Sequence, residues 1–76
     1  MNDALGKLSS KTGTVKWFDS KKGYGFLVDQ NGQDIFAHYK QIREDGYRTL
    51  TTGMKVSFDI ISTPKGLSAV NIKLER

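Results

Sequence analysis

Residues 22–39 read KGYGFLVDQNGQDIFAHY. Two short runs rich in aromatic and β-branched residues flank Asn31-Gly32, the pair best suited to the two positive φ angles of a type I′ hairpin turn. The spacing predicts one strand from Gly23 to Asp29 and another from Asp34 to Tyr39. In the first, Tyr24, Phe26 and Val28 share one face while Gly25 and Leu27 share the other; in the second, Ile35 and Ala37 oppose Phe36 and His38. Both faces are apolar, although a single-layer sheet needs only one of them to line a core.

Working outward, Gly13 to Asp19 predicts a strand upstream. Lys55 to Ile61 aligns Val56, Phe58 and Ile60 on one face, and Ser68 to Leu74 does the same with Val70, Ile72 and Leu74. Thr63-Pro64-Lys65-Gly66 between them fits a type I turn, with Pro at the second position and Gly at the fourth. Lys40 to Thr52 lacks clean alternation and reads as a long loop with one helical turn, anchored in the core by Ile42 and Leu50. Residues 1–12 are polar apart from isolated Leu5 and Leu8, so a flexible extension is expected to precede one folded domain over residues 13–76. Five short strands without a convincing helix argue for a small closed or nearly closed antiparallel barrel. Gly23 and Gly25 would let the second strand coil at a barrel corner.

The interior of such a barrel is filled by Val15, Leu27, Ile35, Ala37, Val56, Phe58, Ile60, Val70 and Ile72. Tyr24, Phe26, Phe36 and His38 are then left outside. The reverse arrangement would expose the aliphatic set and bury His38 among three rings. A contiguous patch of outward rings marks a binding surface.

With 76 residues there is room for one small domain, and the absence of cysteine removes disulfides and thiolate sites. No apolar h-region opens the chain and no run approaches the roughly 20 apolar residues of a membrane span, so a soluble cytoplasmic protein is expected. The net charge of +4 arises between Lys7 and Lys22, where five lysines face only Asp19. Seven of the eight aromatics lie between Trp17 and Tyr47. Flat rings beside lysines suit a single-stranded nucleic acid, whose bases stack on rings while its phosphates meet cations. Double-stranded DNA keeps its bases stacked and leaves the rings unused. The competing class is an SH3-like barrel with an aromatic groove for a proline-rich peptide; acidic residues usually line such a groove, whereas here lysines flank the rings. His38 stands without a nucleophile or a carboxylate partner at ligand spacing, so neither enzymatic activity nor a metal or cofactor is expected. The glycine spacing lacks the third Gly of a dinucleotide fingerprint, and the phosphate-loop Gly-Lys-Ser/Thr is missing.

Lys22-Gly23-Tyr24-Gly25-Phe26-Leu27 resembles the first ribonucleoprotein motif, and Asp34-Ile35-Phe36-Ala37-His38-Tyr39 resembles its companion. An RNA-recognition motif has the companion first and intervening helices. The order here, with Gly13-Thr14-Val15-Lys16-Trp17-Phe18 upstream and Asp45-Gly46-Tyr47-Arg48-Thr49-Leu50 downstream, is instead similar to the bacterial cold-shock proteins from about Gly13 to Leu74. That resemblance implies an all-β, five-stranded antiparallel Greek-key barrel of the oligonucleotide-binding type. It also implies binding of single-stranded RNA and single-stranded DNA with loose sequence preference, often for pyrimidines, and action as an RNA chaperone and regulator of transcription and translation in stress responses. No membrane partner is implied, and a monomer is expected with a dimer left open.

Carried over by resemblance, the stacking positions are Trp17, Tyr24, Phe26, Phe36, His38, Tyr39 and Tyr47, with Phe18 beside them. The basic contacts are Lys16, Lys22, Arg48 and Lys65, and Asp34 is an acceptor for a base edge. Read from the residues alone, Asp34 serves equally as a turn cap, and the lesser alternative for Tyr47 is a loop residue packed on the barrel. Strict alternation places Trp17 inward with Val15, whereas the resemblance places it on the surface; a bulge or strong twist reconciles the two. Asp19 stands where the family commonly has Asn, bringing a negative charge to where a phosphate or base approaches. Pro64 and Leu67 alter the usual last loop, and the extension is longer than typical. Ala37, Tyr39 and Tyr47-Arg48 resemble the subset associated with stationary phase and replication control.

Overall fold

A computed structural model describes residues 11–44 and 49–75. The strands are β1 (Lys11–Asp19), β2 (Tyr24–Asp29), β3 (Asp34–His38), β4 (Lys55–Thr63) and β5 (Gly66–Leu74). They form a closed barrel in the order β1-β2-β3-β5-β4, with β4 returning to β1. β1 begins at Lys11 because Lys11 and Thr12 pair with Phe58 and Ser57, two residues upstream of the expected start. Residues 1–10 of the expected extension lie outside the described residues. Tyr39, expected at the end of a strand, instead opens a 3-10 turn over Tyr39–Gln41, the helical turn anticipated in the long loop.

One strand pair differs from the all-antiparallel expectation: β3 and β5 run parallel, meeting at Phe36 and Ser68. The other four pairs are antiparallel. Directions that alternate around a ring cannot close on an odd number of strands, so five strands force at least one parallel contact.

The hairpin after β2 also departs from expectation. A type I′ turn needs positive φ at both Asn31 and Gly32, and only Gly32 has it, at 82°. Asp29 explains the difference. Its Oδ1 accepts from the N–H groups of Asn31 (2.8 Å) and Gln33 (2.9 Å), and its carbonyl accepts from Gly32 N–H at 3.1 Å. Asp29 N–H then donates to the Gln33 carbonyl at 3.1 Å, which makes a three-residue loop with Gly32 as the left-handed residue of a bulge. At the other hairpin Pro64 and Lys65 both keep negative φ, as a type I turn requires.

Val15, Leu27, Ile35, Ala37, Val56, Phe58 and Ile72 fill the barrel as expected, joined by the anchors Ile42 and Leu50. Ile60 is only partly buried against this core. Val70, expected inside, is displaced by Ala69. The register between β4 and β5 shifts between Ser57 and Asp59, because Asn71 (φ 54°) is an extra residue that reverses the alternation. Gly25 faces the same interior, where a Cβ would collide with the Trp17 carbonyl oxygen and come within 2.6 Å of Phe18 Cα.

Leu27→Ala should cost about 2–5 kcal/mol of unfolding free energy, while the half-buried outward Phe26→Ala should cost less. Urea titration of the two variants measures the difference, and equal losses would place Phe26 in the core.

Candidate nucleic-acid interface

The outer surface of β1, β2 and β3 is organised by a bulge within β1. Val15 pairs with Leu27 and Trp17 with Phe26, so Lys16 is extra and the register shifts between Val15 and Trp17. Val15 therefore stays buried while Lys16 and Trp17 both lie outside. The inward placement of Trp17 by strict alternation is thus corrected, and its exposure is 41%.

Cross-strand pairing then gathers the rings. Trp17 stands opposite Phe26, Phe26 opposite Phe36, and Tyr24 opposite His38. Ring centroids are 5.6 Å apart for Trp17–Phe26, 5.7 Å for Phe26–Phe36, 5.8 Å for Tyr24–Phe36 and 6.3 Å for Trp17–Tyr24. Pairs at these distances contribute about 0.5–1.5 kcal/mol each beyond area burial, which holds the rings in place before any ligand arrives. The cluster continues through His38 to Tyr39, 4.8 Å away and 38% exposed. His38 Nδ1 accepts from Lys40 N–H at 3.2 Å, so a neutral His38 carries its proton on Nε2.

Lys16 Nζ lies 3.0 Å from Asp34 Oδ2 and 3.3 Å from Oδ1. The two side chains are 49% and 48% exposed, so water screens the pair. Asp34 thus holds a lysine; turn capping falls to Asp29. Beside Asp34, an open groove of about 580 Å³ runs between Phe26 and Phe36 on one side and Thr63, Lys65 and Leu67 of the last hairpin on the other. Lys22 and Lys65 are exposed in the β1–β2 and β4–β5 loops.

Not every expected residue joins this face. Phe18 pairs with Gly25, which puts it on the interior side, partly buried against the core. Tyr47 and Arg48 lie outside the described residues. Thr63, Leu67 and Ser68 line the groove without having been anticipated, because only the parallel β3–β5 contact brings the last hairpin beside Phe36. No group of three or more His, Cys, Asp or Glu side chains is placed to hold a metal among the described residues. No helix among them is long and apolar enough to cross a membrane.

A family model for the "Cold-shock" DNA-binding domain matches residues 11–75. The chain belongs to the cold-shock domain family. It is 52% identical over 60 residues to the major cold shock protein of Streptococcus pyogenes serotype M18, covering 79% of this chain and 90% of that one. It is 48% identical over 62 residues to cold shock protein 1 of Lactiplantibacillus plantarum, covering 82% and 94% respectively. Among solved structures, drosophila Unr CSD456 superposes with a TM-score of 0.73 at 25% identity, over 88% of this chain and 27% of that longer one. The resemblance seen in the motifs therefore holds along the cold-shock domain, and nucleic-acid binding is its family property.

Because the Lys16–Asp34 pair is half exposed, Asp34→Asn should change unfolding free energy by less than about 1 kcal/mol. A thermal melt showing a larger loss would make the pair a structural support of the cold-shock domain.

Proposed function

We propose that this cold-shock domain binds single-stranded RNA and single-stranded DNA with low sequence specificity, preferring pyrimidine-rich strands. The observation that carries the reading is the mutual packing of Trp17, Tyr24, Phe26 and Phe36 on the outside of the barrel. Every base has a π-face, so stacking on such rings tolerates sequence, and each stacked base contributes about 1–3 kcal/mol. His38 and Tyr39 extend the platform, and Tyr47 is a further stacking position by its match to the family motif. Lys16, Lys22, Arg48 and Lys65 meet phosphates, and Asp34 accepts from a base edge when the strand displaces Lys16. Binding of this kind holds RNA unpaired without enzymatic activity or a cofactor. It supports action as an RNA chaperone and as a regulator of transcription and translation in the cytoplasm, with the monomer as the working unit.

Adding oligo-dT should quench Trp17 fluorescence, and the logarithm of the affinity should fall against the logarithm of salt by about 0.7 per phosphate neutralised. Quenching by a proline-rich peptide with none by oligo-dT at low salt would instead favour the peptide-groove reading. Phe36→Ala should weaken oligo-dT binding by about 1–3 kcal/mol in the same titration.

A further inference from the structure

One side chain organises the loop between β1 and β2. Asp19 Oδ1 accepts from the backbone N–H groups of Lys21 at 2.9 Å and Lys22 at 3.0 Å, and the Asp19 carbonyl accepts from Gly23 N–H at 2.7 Å. Its second carboxylate oxygen takes no hydrogen bond among the described residues. The far end of the loop is held by Tyr39. Tyr39 N–H donates to the Gly23 carbonyl at 2.8 Å, and its ring occupies the place of a Gly23 side chain, 2.6 Å from where a Cβ would sit. Asp19 itself pairs with Tyr24. The loop is therefore clamped between two members of the ring platform, and it carries Lys21 and Lys22, neither of them ion-paired among the described residues.

We infer that Asp19 is a positioning residue for nucleic-acid binding: Oδ1 fixes the backbone that presents Lys21 and Lys22, while the negative charge opposes the strand those lysines attract. The inference rests on the single-strand reading above. Both hydrogen bonds end on one oxygen, and an amide oxygen also has the two lone pairs needed to accept them, though each bond is weaker without the charge. The cap therefore does not require the charge. A carboxylate bonded to the backbone of both lysines repels an approaching phosphate over a Debye length of about 8 Å at physiological ionic strength. The positioning and the repulsion are separable by substitution.

The test follows Trp17 quenching by oligo-dT over a salt series for the full chain, Asp19→Asn and Asp19→Ala. Each is also measured in a background carrying Lys21→Gln and Lys22→Gln. Asp19→Asn keeps the cap and loses the charge, so it should bind about two- to fivefold more tightly than the parent. Asp19→Ala loses the same charge and the cap as well, so it should bind about fivefold or more weakly than Asp19→Asn. Its salt slope should be flatter by about 0.7 for each lysine that no longer meets a phosphate. In the background without the two lysines, the difference between Asn and Ala should vanish. Equal binding by Asn and Ala, or a difference that survives removal of the lysines, would overturn the positioning role. An Asn variant no tighter than the parent would overturn the repulsion. Thermal melts establish that each variant folds, and Asp19→Val, which also lacks an acceptor and suits the end of β1, replaces the Ala variant if that one does not. Failure of the parent to bind oligo-dT would instead overturn the single-strand reading, a result the variants cannot produce.

Discussion

The bulge at Lys16 allows Val15 to fill the barrel while Trp17, two residues on, lies outside it against Phe26. In an unbroken strand those two side chains share a face. Trp17 would then have to enter an interior already filled by Leu27, Ile35 and Ile72, or Val15 would be expelled from it. The extra residue removes this conflict and turns Lys16 outward beside the rings, where it reaches Asp34 across β2. β5 solves the matching problem with Asn71, whose left-handed φ of 54° is one that asparagine tolerates better than most non-glycine residues. Its side chain is held on both sides, by Arg43 Nε and by Asp59 Oδ2, at 3.1 Å each.

The barrel thus separates two kinds of apolar residue. Aliphatic side chains with Phe58 and the partly buried Phe18 carry the stability of the interior, and Trp17, Tyr24, Phe26 and Phe36 support one another outside it. Rings that already touch lose little freedom when a base stacks on them, so the surface is arranged ahead of its ligand. The charges follow a looser plan. Lys16 is shared with Asp34, whereas Lys22 and Lys65 stand in hairpin loops with no acidic partner among the described residues.

Much of this was legible in residues 22–39 alone. Alternation placed Leu27, Ile35 and Ala37 inside and Tyr24, Phe26 and Phe36 outside, and the motifs pointed to the family. What escaped has common physical causes. An extra residue in a strand leaves no mark on composition, so alternation misplaces Trp17 and Val70 in the same way. The Asn31-Gly32 pair suggests one turn, but the Asp29 carboxylate before it selects another by binding two N–H groups of the loop. The parallel β3–β5 contact follows from the parity of a closed ring, which no local pattern displays, and with it went the lining of the groove beside Phe36.

That parallel contact also bears on how the chain reaches its structure. The hairpins β1–β2–β3 and β4–β5 are each built from neighbours in sequence, but β3 must meet β5, and β1 must meet β4, across the whole long loop. Until both distant seams form, Leu27 and Ile35 on one side and Val56 and Ile72 on the other have only neighbours in their own hairpin unit to pack against. The entropy of closing that loop is therefore spent before most of the burial returns, which sets a topological limit on folding speed. Two separately competent halves are not available to this chain, because each hairpin unit alone presents an open apolar face to water. Ile42 and Leu50, buried at either side of the long loop, join the same core as residues of both halves, so the loop is fastened to the barrel at each end.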